Sequence, residues 1–158
     1  MGDESAVFEF EKDFAQSLRC IPMSVRLKLD CCGLKVSLRQ WNRLDTEDRR
    51  LLLQQPCDSE PSCRDYHTTV VAMIAARTGA PPGELPVEPQ PAWRQAGRVP
   101  EQLLTHMAGL QLTPLSAAQW AQLGPVRRFA LLKLSRPGHS NDNFLPALLE
   151  FGLLGAER

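Results

Sequence analysis

The sequence lacks several features that would point to common functional classes. Its 158 residues carry 18 basic and 18 acidic side chains, so the formal net charge is zero. Surfaces that bind nucleic acid or anionic membranes need clustered basic residues, and this balance disfavours both functions. No apolar run approaches the roughly 20 residues of a membrane-spanning helix. The acidic start of the chain also lacks the pattern of a signal peptide. We therefore expect a soluble, cytoplasmic protein.

Cysteine is present, but in an odd number and without a secretory context. Five cysteines of this kind predict reduced thiols rather than a disulfide framework. Cys57, Cys63 and His67 are the best candidates for metal ligands. Their spacing is wider than the gap of about two to four residues in common zinc sites, and no fourth ligand is evident. A small metal-binding or thiol-dependent protein that uses these three residues is the alternative that the sequence leaves open. Otherwise no cofactor is predicted.

One segment of the chain occurs twice. Residues 37–53 read SLRQWNRLDTEDRRLLL and residues 116–132 read SAAQWAQLGPVRRFALL. Seven of the seventeen positions are identical at a constant offset of 79, without a gap. Because a large ring recurs at the same place, we expect Trp41 and Trp120 to be buried in equivalent environments.

Each copy of this repeat carries two signals for a helix start. The opening Ser-x-x-Gln predicts a capping box, in which the serine and glutamine side chains bond backbone N–H groups. Eight residues later Asp45 is a good N-cap in the first copy. In the second copy Gly124 and Pro125 supply an N-cap glycine and a proline at the first helical position. Each copy is therefore predicted to form two short helices joined by a tight turn.

The wider pattern predicts an all-α fold. We expect a single domain, residues 1–158, of about seven or eight short helices in two pseudo-repeated halves that share one core. The halves span about 20–56 and 98–136. A connector at 80–100, with six prolines and two glycines, separates them and is predicted to be extended. Helices are predicted at 13–19, 23–32, 64–78, 99–108 and from about 143 onward.

Two polar features are candidates for a partner-binding surface. Arginines recur at equivalent places in the two copies, and the segment PGHSNDNF at 137–144 is the most polar stretch of the chain. The arginines could equally form a solvated helix face with salt bridges, and the polar segment could be a turn with a helix cap. DNA binding is disfavoured by the acidic residues in the first copy. The candidate residues are Arg49, Arg50, Arg127, Arg128, His139 and Asn141.

Three parts of the chain together resemble the nitrate reductase-associated protein family of small bacterial proteins. They are FEFEKDFAQSLRCIPMSVRLKLDCCGLKVSLRQW at 8–41, QWAQLGPVRRFALLKLSRPGHSNDNFLPALLEFGL at 119–153, and the proline-rich middle. The resemblance implies a non-enzymatic accessory protein that binds assimilatory nitrate reductase. The step assisted would be maturation of the reductase, loading of its cofactor or supply of electrons to it. The resemblance carries no catalytic residues and leaves the oligomeric state open.

Overall fold

The fold is mostly helical, as the sequence predicts. The computed structural model describes residues 7–11, 21–136 and 143–154. Within these ranges there are eight α-helices and one small antiparallel sheet, so the all-α class is confirmed. The helices are α1 Met23–Cys32, α2 Leu38–Asn42, α3 Thr46–Gln54, α4 Glu60–Thr78, α5 Glu101–Gly109, α6 Ala117–Gln122, α7 Pro125–Leu134 and α8 Phe144–Glu150. The strands are β1 Leu34–Lys35 and β2 Gly83–Glu84.

The chain divides into two compact units, Met1–Glu88 and Pro89–Arg158. Helices α1 to α4 and the sheet belong to the first unit, and helices α5 to α8 belong to the second. The two copies of the repeat therefore lie in different units. That the halves share one core within a single domain stays a prediction.

Helix α1 ends where the sequence predicts, and its last residue leads directly into β1. Gly33 closes the helix in the left-handed region at φ 76°, a conformation that costs glycine little. A Cβ atom at this position would lie 2.9 Å from the carbonyl oxygen of Leu85. Gly33 is therefore required both by its backbone angle and by the close approach of the chain beyond β2. The core beside it is formed by Ile21, Val25, Leu29, Leu34, Trp41, Leu44, Leu52, Tyr66, Val70 and Ile74.

The small sheet was not predicted. Leu34 pairs with Glu84 and Lys35 pairs with Gly83 in antiparallel register. Both strands have two residues, which is too short for an alternating pattern to show in the sequence. The pairing attaches the first part of the predicted connector to the first unit.

Helix α4 begins four residues before its predicted start at Arg64. Ser59 accepts a hydrogen bond from the backbone N–H of Ser62, and the side chain of Ser62 accepts one from the backbone of Ser59. This capping box, with Pro61 in the first turn, extends the helix over residues 60–63, which lie before the predicted start. The helix ends at Gly79, as predicted.

The second unit holds the rest of the connector through Trp93. This side chain lies in a short 3₁₀ turn at Ala92–Arg94, is only 8% exposed, and makes an edge-to-face contact with Phe129 at a centroid distance of 6.1 Å. Trp93 therefore anchors this part of the connector in the second unit. Helix α8 begins at Phe144, close to its predicted start, and buries Phe144 and Leu148, which lie four residues apart on one face.

Some sequence predictions concern residues outside the described ranges. The helix at 13–19 and a cap for the last helix at Ser140 or Asn141 both belong to this group. Among the helices that the structure does describe, none has the length and apolar character needed to cross a membrane.

Candidate functional site

The capping boxes of the repeat form in both units. In the first, Ser37 Oγ accepts from the N–H of Gln40 at 3.0 Å, and the glutamine oxygen accepts from the N–H of Ser37 at 2.9 Å. In the second, Ser116 and Gln119 make the same reciprocal pair at 3.1 and 2.9 Å. The start of each repeat is thus fixed by bonds that span three residues.

Arg49 is buried inside the first unit rather than presented to solvent. Its side chain is 7% exposed, and Nε and Nη2 donate to the carbonyl oxygen of Trp41 at 3.3 and 3.1 Å. Its guanidinium carbon lies 5.6 Å from the centroid of the Trp41 ring, within the range of a cation–π contact. Burial lowers the pKa of Arg49, and the carboxylates of Asp45 and Asp48 act in the opposite direction. The two hydrogen bonds and the ring contact to Trp41 therefore link α3 to α2.

Arg128 takes the equivalent place in the second unit and makes more bonds there. It is also 7% exposed. Nε donates to the carbonyl oxygen of Trp93 at 2.6 Å, and Nη1 donates to the carbonyl oxygens of Trp120, at 3.4 Å, and Leu123. The guanidinium carbon lies 5.9 Å from the Trp120 ring centroid. Arg128 thus holds the helix pair and the Trp93 turn together.

The candidate partner-binding residues fall into three groups. Arg49 and Arg128 are buried, so the interpretation that includes them in a charged docking surface needs correction. Arg50 and Arg127 are exposed, and their role in partner binding stays a prediction. His139 and Asn141 lie outside the described residues.

The exposed arginines have local contacts that leave much of each side chain accessible. Arg50 pairs with Glu47 at 2.9 Å in an exposed ion pair on α3, one of the salt bridges expected for a solvated helix face. Exposed pairs of this kind contribute little to stability. In the second unit the guanidinium of Arg127 lies 5.0 Å from the centroid of the Phe151 ring. Neither contact therefore buries the arginine side chain.

An ion-pair network ties the start of α3 to α4. Arg77 Nε donates to Asp48 at 2.7 Å, and its Nη2 donates to Asp45 at 3.2 Å. Asp45 and Asp48 also form a reciprocal capping box at the start of α3. The hydrogen bond from Arg77 lowers the pKa of Asp48, against an opposing contribution from burial, and Asp48 raises the pKa of Arg77. The cap role of Asp45 was predicted from the sequence and is confirmed, but Arg77 is too distant along the chain to be linked to it by spacing.

Two thiols of the predicted metal or thiol site lie together. Cys57 Sγ is 3.0 Å from Cys63 Sγ and 3.6 Å from the carbonyl oxygen of Lys28. Cys32, Cys57 and Cys63 are free thiols, whereas Cys20 lies outside the described ranges. No three His, Cys, Asp or Glu side chains of the described residues form a set that could hold a metal, so His67 does not complete a site with the pair.

The surroundings of Cys57 determine how its proton is held. The Cys31 thiol lowers the pKa of Cys57, but the Cys32 thiol, burial and the Cys63 thiol raise it, and the net direction is well above the ordinary value. Cys57 is therefore a thiol rather than a thiolate at neutral pH. The same cluster affects Tyr66, since burial and then Cys32 and Cys57 raise the pKa of its hydroxyl group.

A cap that the sequence did not reveal closes the end of α3 beside the thiols. Lys28 Nζ donates to the carbonyl oxygens of Leu52, Leu53 and Gln55 at 3.3, 2.8 and 2.7 Å. The Tyr66 hydroxyl also donates to Leu52 O, at 2.8 Å. The last carbonyls of a helix lack partners within it, and here a lysine from α1 satisfies them. A lysine within a predicted amphipathic helix carries no signal for this role.

Comparison with known proteins gives one family and no individual relative. No curated protein and no solved structure matches the chain significantly. The family model described as conserved nitrate reductase-associated protein matches residues 7–151, a range that includes both copies of the repeat and the thiol cluster. The chain therefore belongs to the nitrate reductase-associated protein family.

Proposed function

We propose that this protein is a non-enzymatic accessory protein of assimilatory nitrate reductase and acts by binding that enzyme. Membership of the family is the observation that carries the proposal. The step assisted would be maturation of the reductase, loading of its cofactors or supply of electrons. In this proposal the host is a bacterium that assimilates nitrate, and the protein works in its cytoplasm.

The proposed docking residues are the exposed arginines of the two units. Arg50 lies on α3 and Arg127 on α7, each directly beside a buried arginine of the repeat. The buried neighbour holds the helix in place, so that the exposed guanidinium projects from a fixed backbone. Charges at the rim of an interface mainly affect the association rate and its salt dependence. Salt-sensitive binding is therefore expected.

The test is complementation of a deletion strain. Deleting the gene should lower nitrate reductase activity in extracts of cells grown on nitrate, and the wild-type gene should restore it. The double variant Arg50→Glu with Arg127→Glu should restore less activity and should copurify less reductase. The matched control is Arg64→Glu with Arg98→Glu, which changes the same number of exposed arginines, one in each unit. This control should restore activity like the wild type.

The possible outcomes test the accessory role and the choice of docking residues separately. Normal reductase activity in the deletion strain would contradict the accessory role. Full rescue by the Arg50→Glu, Arg127→Glu variant would leave the role in place and assign docking to another surface. If the control variant loses as much reductase activity as the Arg50→Glu, Arg127→Glu variant, the loss is an effect of net charge. That result would remove the argument for these two arginines.

A second measurement distinguishes the steps. Purified protein added to an extract of the deletion strain should restore activity at once if the protein supports electron supply to a complete reductase. If it acts during maturation or cofactor loading, addition should have no immediate effect, because the reductase in that extract is already incomplete. In both cases the purified protein alone should reduce no nitrate.

A further inference from the structure

Two thiols in the first unit are closer than atoms that merely pack together. Cys57 Sγ and Cys63 Sγ are 3.0 Å apart. Non-bonded carbon atoms pack at about 3.5–4.0 Å, whereas the sulfurs of a disulfide are about 2.0 Å apart. The pair is therefore reduced, but a small approach of the two sulfurs would place them at bonding distance.

The backbone on both sides of the pair is fixed by local bonds. Cys57 follows the end of α3, and Cys63 lies in the first turn of α4. Between them the Ser59–Ser62 capping box sets the start of α4, and the N–H of Asp58 donates to Ser62 Oγ at 2.8 Å. Cys63 itself donates its backbone N–H to the carbonyl oxygen of Ser59 at 2.9 Å. The closeness of the sulfurs thus results from an ordered turn.

The Cys57–Cys63 pair contacts α1, because Cys57 Sγ lies 3.6 Å from the carbonyl oxygen of Lys28. It lies beside the end of α1, where Cys31 and Cys32 adjoin Cys57. Both Cys57 and Cys63 are partly exposed, so a small molecule in solution can reach them. The pair also lies beside Lys28, whose ammonium group caps the end of α3. Closing a bond here would cross-link the α3–α4 connection to the first turn of α4.

We propose that Cys57 and Cys63 form a reversible dithiol–disulfide site that exchanges with low-molecular-weight disulfides. The inference rests on the 3.0 Å sulfur–sulfur distance and on the ordered turn that maintains it. It does not depend on the association with nitrate reductase. It develops the thiol-dependent alternative with two of its three residues and without a metal.

The exchange takes two steps. The Cys63 thiolate attacks one sulfur of the small disulfide, which forms a mixed disulfide and releases one small thiolate that takes up a proton. Cys57 then loses its proton to solvent and attacks the Cys63 sulfur, which forms the internal bond and releases the second small thiol. Cys57 acts second because the Cys32 thiol, burial and the Cys63 thiol hold the proton on its sulfur. In total the protein dithiol is oxidised by two electrons, and the small disulfide is reduced to two thiols.

The test is thiol mapping of the full-length reduced protein after incubation with glutathione disulfide. Acid quenching, alkylation of the remaining thiols and peptide mass spectrometry should show one link between Cys57 and Cys63. Two molecules of reduced glutathione should be released for each chain, and excess reduced glutathione should reverse the reaction. Alkylation of both cysteines after this incubation would overturn the proposal. So would a link from either of them to another cysteine.

Variants test the order of the two steps. Cys57→Ser should retain glutathione on Cys63, because no second thiol removes it, and should release one molecule of reduced glutathione instead of two. The variant Cys31→Ser with Cys32→Ser should still form the Cys57–Cys63 link. Loss of the link in a double variant with the wild-type circular dichroism spectrum would overturn the assignment to this pair. The wild-type mapping decides the proposal even if a variant does not fold.

Discussion

Trp41 and Trp120 occupy the same place in the two copies of the repeat, but their indole N–H groups have different surroundings. Trp120 Nε1 donates to the carbonyl oxygen of Gln95 at 2.8 Å. Trp41 Nε1 is buried without a hydrogen-bond partner among the described residues. Both rings are almost fully buried, at 2% exposed for Trp41 and 0% for Trp120. Identical residues at identical spacing therefore form the same helix pair, but only the second copy has a hydrogen bond to its indole N–H among the described residues.

The same difference extends to the buried arginines. Arg49 donates to one carbonyl oxygen, that of Trp41, whereas Arg128 donates to several carbonyl oxygens, including that of Trp93. The second copy is thus bonded to the irregular segment at Pro91–Gln95. In the first copy the exposed ion pairs of Arg77 join the start of α3 to α4, and Lys28 and Tyr66 donate to carbonyl oxygens at the end of α3. The two copies are thus joined to their neighbours by different sets of contacts.

The largest expected effect is a difference between the two buried arginines. Arg128→Met should reduce the free energy of unfolding by about 3 kcal/mol, because several buried carbonyl oxygens lose their donor. Arg49→Met should cost about 1 kcal/mol, because one carbonyl loses its donor and the cost of burying a charge is relieved. Urea denaturation followed by circular dichroism measures both values.

The exposed arginine beside each buried one supplies the control for this comparison. Arg50→Met and Arg127→Met should each change the free energy of unfolding by less than about 0.5 kcal/mol, as surface substitutions usually do. Equal losses for Arg49→Met and Arg128→Met would contradict the view that the carbonyl bonds make the two copies unequal.

A smaller effect is expected for the tryptophans. Replacing either ring with phenylalanine removes similar buried volume, but Trp120→Phe also leaves the Gln95 carbonyl without its donor. Trp120→Phe should therefore cost about 1 kcal/mol more than Trp41→Phe. The same denaturation measurement applies, and equal costs would mean that the bond to Gln95 contributes nothing net.

The smallest effect is the pH dependence of the surface ion pairs in the first unit. The pKa of Asp48 is lowered in the folded protein, so its contribution is present above its ordinary value of 3.8 and is lost as the pH falls through the lower folded value. Asp48→Asn should therefore cost about 1 kcal/mol or less at neutral pH, and the difference from the wild type should shrink below about pH 4.

The control for this prediction is another charge on α4. When Arg77 is replaced by alanine, the stability difference that Asp48→Asn causes should depend less on pH. The substitution Arg64→Ala, at an exposed position on the same helix, should leave that pH dependence unchanged. Denaturation midpoints measured from pH 7 to strongly acidic solution would decide. A difference between wild type and Asp48→Asn that stays constant over this range would contradict the assigned ion pair.

The sequence by itself determined the local features of this protein. The capping boxes at Ser37 and Ser116 and the ends of helices at Gly33 and Gly79 were all predicted correctly. Each depends on bonds or backbone angles within a few residues, so the identity and spacing of the residues are sufficient. The proximity of Cys57 and Cys63 belongs partly to this group, because five residues separate them.

The tertiary structure alone decided which charges are buried and which elements meet. Arg49 and Arg50 are adjacent and chemically identical, yet one is buried and the other exposed, because only one faces the packed tryptophan. The bond from Arg128 to Trp93 joins residues 35 positions apart. Local spacing carries no information about such contacts, since they depend on how the elements pack. The repeat pattern alone therefore could not show which of its arginines are exposed.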